Sequence, residues 1–168
     1  MKKSQKGFTI IEVALVLAVG ALIFLVVFLA VPALQRNSRN DARRRDVSSV
    51  VEAISAFSSN NPGVTIASGE VYKDGAPMTG SAGSGFNNYI DQLSNNITTV
   101  TVANASQSRP GAISLPTLAA DGADQIYVYV GVQCKDNSTL EDGPARAYAV
   151  VGVMENAGNY SYICQNAS

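Results

Sequence analysis

The sequence predicts an α+β chain, with one long N-terminal helix followed by an antiparallel sheet packed on the helix's second half. Three observations predict it. Val13 to Val31 is a run of nineteen residues without a charge. Val47, Val50, Val51, Ile54 and Phe57 then recur at helical spacing and form one apolar stripe. Further on, "QIYVYVGVQ" and "RAYAVVGV" alternate with the period of two that marks a strand. A striped helix and a sheet with an apolar face each need cover, and packing one on the other buries both.

The elements follow in order. At about 1.5 Å per helical residue the uncharged run covers roughly 28 Å, close to the hydrocarbon thickness of a bilayer. A secretory signal cut near Ala33 is the competing reading, but its apolar region would exceed the usual ~7–15 residues. Gly20 and Pro32 interrupt the run. Proline lacks a backbone donor, and its ring meets the carbonyl four residues earlier, here that of Phe28. Past it, "ALQRNSRNDARRRDVSSVVEAISAFSSNNPG" keeps helical spacing, with Asp41 and Arg45 placed to pair four residues apart. Pro62 rules out continuation, so one helix is expected from Phe8 to about Ser58.

Residues 60–96 are rich in Gly, Ser and Asn and read as loop, with a short amphipathic helix at Phe86, Tyr89, Ile90 and Leu93. "GSAGSG" lacks the lysine and following hydroxyl of a phosphate-binding loop and the glycine spacing of a dinucleotide fingerprint. In "QIYVYVGVQ", Ile126, Val128, Val130 and Val132 fall on one face, with Tyr127 and Tyr129 on the other. "RAYAVVGV" places Ala147, Ala149, Val151 and Val153 together, and "ITTVTVA" and "NYSYICQ" are further strands. "KDNSTLEDGP" and "ENAGN" read as turns.

Composition narrows the chemistry. Without any histidine, the chain has no Ser-His or Cys-His pair and no imidazole metal ligand. Two cysteines, Cys134 and Cys164, lie in the part read as extracytoplasmic, where a disulfide is the natural state. No metal or cofactor is expected. Asp136, Glu141 and Asp142 offer oxygen ligands but do not match the spacing of a calcium loop. From Ser59 onward four basic residues face nine acidic ones, a poor surface for phosphate backbones. Five arginines (Arg36, Arg39, Arg43, Arg44, Arg45) cluster just past the apolar run. They suit lipid headgroups or solvent, acidic faces of neighbouring subunits, or a DNA-binding strip.

One charge is out of place. Glu12 stands at the start of the apolar run, behind a leader carrying Lys2, Lys3 and Lys6. A carboxylate near the centre of a membrane helix costs about 2.5–3.5 kcal/mol, and less toward its end. Near a helix N-terminus the macrodipole returns up to ~1 kcal/mol. Cutting before Phe8 would also create an ammonium. At about 4 Å and an effective dielectric of about 20, it attracts a carboxylate by roughly 4 kcal/mol before desolvation. An ammonium on a neighbouring chain would thus draw parallel helices into register, and Glu12 becomes an assembly determinant.

"KGFTIIE", followed by a long apolar helix, closely resembles the type IV pilin N-terminus. The resemblance covers about the first 60 residues; beyond them it is one of architecture. It implies a leader, residues 1–7, that a prepilin peptidase removes after Gly7 before methylating the amine of Phe8. It implies a membrane and filament-core helix at 8–35, with Gly20 and Pro32 giving flexibility. An amphipathic helix at 36–58 and a sheet head at 59–168, with a disulfide-bounded C-terminal region at Cys134 and Cys164, complete the pilin fold. Function follows from the resemblance: a non-enzymatic subunit, held in the cytoplasmic membrane with its N-terminus inside. The pilus assembly machinery then polymerises it into a helical homo-oligomer outside the cell, for adhesion, twitching motility or DNA uptake. The alternatives are a minor pilin and a pseudopilin of a type II secretion system, whose major forms usually bind calcium and lack the disulfide. Charge counting opposes this topology: three lysines before the span and five arginines after it would place the N-terminus outside.

Overall fold

The computed structural model describes residues 7–74, 76–78, 85–90, 93, 97–104, 124–137, 139–156 and 159–167. The chain divides into two compact units, Met1–Asn37 and Ser38–Ser168. Helix α1, Ile10–Asn60, runs through the boundary and stays helical across Pro32. It begins two residues later than expected because Thr9 caps it. The Glu12 N–H donates to Thr9 Oγ1 at 3.3 Å and to the Thr9 carbonyl at 3.1 Å. At the other end the Asn61 N–H and side-chain amide both donate to the Phe57 carbonyl, and Arg146 Nη2 reaches the Ser58 carbonyl at 3.2 Å. These contacts occupy carbonyls that a helix terminus otherwise leaves open.

In the second unit a six-stranded sheet lies under α1. Its strands are β1 (Gly69–Lys73), β2 (Ala76–Pro77), β3 (Thr99–Asn104), β4 (Gln125–Val130), β7 (Tyr148–Asn156) and β8 (Asn159–Ala167). Their order is β2-β1-β3-β4-β7-β8, and β5 (Val132–Cys134) with β6 (Leu140–Asp142) forms a separate two-stranded hairpin. All pairings are antiparallel except β3 with β4, which run parallel in register from Thr99–Gln125 to Asn104–Val130. A parallel pair needs a crossover of about a dozen residues or more, and the stretch 105–123 supplies that length. The fold is α+β and pilin-like, with a mixed rather than wholly antiparallel sheet.

The predicted stripe is the core. Val47, Val50, Ile54 and Phe57 are fully buried against Val100, Val102, Ile126, Val128 and Val150, with Val51 half-buried at the edge. Helix and sheet meet closely at Gly152, where an added Cβ would lie 2.6 Å from Val47 Cγ2. The 3-10 turn Phe86–Tyr89 sets two rings edge-on to Phe57, at centroid distances of 5.7 and 5.6 Å. It is a single 3-10 turn ending at Tyr89, where a short amphipathic helix reaching Leu93 was expected.

The other face of the sheet has its own small core of Tyr129, Val132, Leu140, Ala149 and Val151. Val132 belongs here and not with Ile126 and Val128. Gly131, at φ 82°, ends β4 and turns the chain across the sheet into the hairpin. Tyr148 and Val150 face the helix while Ala149 and Val151 face the hairpin, so both faces of β7 are covered. Burial, with Tyr127 and Tyr162 nearby, pushes the Tyr129 hydroxyl up to about 12. It stays protonated at any physiological pH.

Three stretches read as irregular hold strands: "GEVYK" is β1, "AP" is β2, and "LED", within an expected turn, is β6. The expected loop "GSAGSG" lies mainly outside the described residues.

Candidate functional site

The first unit presents its side chains outward. Every large apolar residue from Phe8 to Leu34 is exposed: Phe8 at 85%, Leu34 still at 65%. A helix apolar all round and covered by nothing in its own chain requires an apolar medium or other helices. Phe8 and Glu12 line one shallow groove with Val13, Val16 and Leu17. The residue expected to carry the new ammonium and the one carboxylate of the segment thus share a face. Thr9 is the residue that sequence reasoning missed. Thr9-x-x-Glu12 is a capping-box pattern, and it was legible in the sequence. It gives Glu12 a second setting, in the first turn of a helix that starts where the leader ends.

Gly20 and Pro32 occupy different situations. A Cβ at Gly20 would meet nothing within 4 Å, so nothing in this chain requires glycine there. Pro32 lies inside the helix, which continues through it.

In the second unit the arginine cluster splits, in a way none of the sequence readings anticipated. Arg39 grips Glu155 with two bonds, Nε to Oε1 at 3.1 Å and Nη2 to Oε2 at 2.6 Å. Arg43, only 4% exposed, reaches Asp124 at 3.0 Å and Glu155 at 2.9 Å through Nη2. Between them Asn40 donates to the Glu155 carbonyl at 2.8 Å and accepts its N–H at 2.9 Å. The Arg39 hydrogen bond holds the Glu155 carboxyl below its ordinary range, with Arg43 adding to the effect and burial opposing it. Arg44 and Arg45 stay exposed, and among the described residues Arg45 makes no pair with Asp41.

Cys134, at the end of β5, and Cys164, in β8, are joined with their Cα atoms 5.9 Å apart. Asn166 Oδ1 accepts the Cys134 N–H beside the bond. Of the acidic residues weighed as calcium ligands, Asp136 takes the Thr139 N–H and hydroxyl, and Glu141 takes the Gln133 amide.

Residues 2–28 match the family model for the prokaryotic N-terminal methylation motif. The matched stretch is the N-terminal methylation signal found on pilin-type proteins. That match implies processing by a prepilin peptidase, and with the apolar helix it points to membrane anchoring before assembly. Pilin-type proteins are structural. No curated protein and no solved structure gives a match to the chain.

Proposed function

We propose that this pilin-type chain is a structural, non-enzymatic subunit of a type IV pilus. It is cut after Gly7, methylated on Phe8, and polymerised through α1 into an extracellular filament of identical copies. One observation carries the reading. The first half of α1, exposed on all its large apolar side chains, holds a single carboxylate, and that carboxylate shares a face with the residue at the expected cut. An ordinary anchor has no use for Glu12, whereas a filament core does. There the Phe8 ammonium of a neighbour supplies the opposite charge, so that the carboxylate is not left desolvated and unpaired.

Gly20 supports the same reading. Glycine inside a helix is about 1 kcal/mol poorer than alanine. With empty space where its Cβ would be, the benefit must come from outside the chain, as a close approach of neighbouring helices does. Pro32 leaves one rung of the helix without a donor, and it marks where the segment would unwind within a packed filament. The Cys134–Cys164 bond favours a pilus over a type II secretion pseudopilus, on the resemblance noted above.

Intact mass and N-terminal sequencing of protein from shed surface filaments test the proposal. The expected chain starts at N-methylated Phe8 with both cysteines oxidised. A chain starting at Met1, or cut near Ala33, overturns it.

A further inference from the structure

The contact between α1 and the sheet has two ends of different chemistry. From Val47 to Phe57 it is chiefly aliphatic and aromatic packing, with one helix-to-sheet hydrogen bond from Ser48 Oγ to Gln165 Oε1 at 3.3 Å. Such packing is non-directional, and a helix resting on it is free to roll or slide by small amounts. From Arg39 to Arg43 it is directional, and most of it converges on one residue, Glu155, with Arg43 also reaching Asp124.

Glu155 stands where the sheet has run out. β7 pairs with β4 only as far as Gly152 and Ile126, while β7 itself continues to Asn156. The main-chain N–H and C=O of Glu155 therefore lack a β4 partner. The carboxamide of Asn40 takes both, with the donor and acceptor arrangement of a peptide group. A helix side chain thus stands in for one residue of a strand. Arg39 adds a two-pronged grip on the carboxylate, a geometry that fixes orientation as well as distance. Arg43 joins Glu155 to Asp124, the residue before β4.

This arrangement is poor as a source of stability. Arg43 is almost wholly buried, yet its Nε and Nη1 have no hydrogen-bond partner among the described residues. Buried ion networks seldom exceed what apolar side chains of equal volume provide, and their best use is to select one arrangement over others.

We propose that Arg39, Asn40 and Arg43 are positioning residues for polymerisation. Through Glu155 and Asp124 they hold the sheet at one rotational setting about the second half of α1, so that every head meets its neighbours alike. The inference rests on the filament reading. In a polymer joined through its helices, a head free to roll would present a different surface at each repeat.

The test uses the full-length chain in detergent micelles, spin-labelled at Glu52→Cys and Asn159→Cys, both exposed positions. The variant is Arg39→Gln with Asn40→Ala, which leaves the buried Arg43 and the apolar core untouched. Its melting temperature is expected to stay within a few degrees of the parent, while the distance distribution between the labels widens. In cells, filament yield is expected to fall several-fold, with Arg39→Lys, which keeps the charge and Asn40 but not the two-pronged grip, giving an intermediate yield. Unchanged label distances overturn the proposal, as does a widened distribution with filaments of normal yield and order. Failure of the filament reading appears in the parent, as absence of filaments. Failure of this inference appears only in the difference between parent and variant.

Discussion

The two halves of α1 are parts of one continuous helix, and they solve opposite problems. Before Asn37 its large apolar side chains go all the way round and are exposed. After Ser38 they keep to one stripe, and that stripe is buried to the last atom at Val47, Val50, Ile54 and Phe57. The difference teaches where each half finds its partner. A stripe is completed by the chain's own sheet, while an all-round apolar surface is completed by something outside it. Each half also carries charge at its N-terminal end. In the first it is Glu12, whose N–H is held by the Thr9 cap; in the second it is Arg39 and Arg43, which pair with Glu155 and Asp124.

The sharpest way to break the comparison is at Glu12. Glu12→Val removes the charge and leaves the helix apolar. Filaments are expected to disappear or to fall by about tenfold or more, as for loss of an interaction worth over 1.4 kcal/mol. The head should be untouched, with the Cys134–Cys164 bond still formed. Electron microscopy of sheared surface fractions, beside non-reducing mass analysis of the membrane fraction, reads both. Normal filaments from this variant would mean that the first half is a plain anchor.

How much of this was legible follows the same division. Local features could be read: the uncharged run, the stripe from Val47 to Phe57 and the alternation of β4 and β7 are periodicities within a few turns or residues. The capping pattern Thr9-x-x-Glu12 was equally local and simply missed. What depended on distant partners could not be read. β1 is "GEVYK", with too few β-branched residues to announce itself, and it is a strand because β3 lies beside it. Arg39 and Glu155 are 116 residues apart, and no spacing rule joins them. Val132 was assigned to the wrong face because alternation was carried through Gly131, whose left-handed backbone resets it.

The second half can be broken from its far face. The Cys134–Cys164 bond ties β8 to the hairpin across a separation of 30 residues, worth about 3–4 kcal/mol in the chain-entropy account. Cys134→Ser with Cys164→Ser should lower the melting temperature of the detergent-solubilised chain markedly and leave membrane insertion alone. An unchanged melting temperature would place the stability of the head elsewhere.

A smaller perturbation probes the contact between stripe and sheet. Gly152→Ala sets a methyl 2.6 Å from Val47 Cγ2, with Ile163 Cγ2 at 3.3 Å on the other side. Overpacking of this kind costs about 1–3 kcal/mol. Val47→Ala removes the obstructing methyls, so the double variant should lose less than the sum of the two single losses. Strictly additive losses, measured by thermal unfolding of each chain, would show that the helix is not held at this distance from β7.

The smallest expected effect separates the polar end of the contact from the apolar one. Glu155 titrates below its ordinary value of 4.5, first through the Arg39 hydrogen bond and then through Arg43, against the opposing effect of burial. A carboxyl whose native pKa is depressed contributes stability in full above its unfolded value and loses it as the pH falls through the native one. Arg39 and Arg43 face it from α1, and Asp124 bears on the same two guanidiniums. Neutralising Glu155 leaves Arg43 almost buried, with Asp124 as its remaining ionic partner among the described residues. Acid should therefore loosen residues 38–46 before it disturbs Val47–Phe57. Hydrogen exchange along α1, followed from neutral pH to below about pH 4, is expected to show that order. In Glu155→Gln the exchange of 38–46 should already be faster at neutral pH and change less with acid. If both segments loosen together in the parent, the polar and apolar ends form one cooperative unit, and the electrostatic grip has no separate existence.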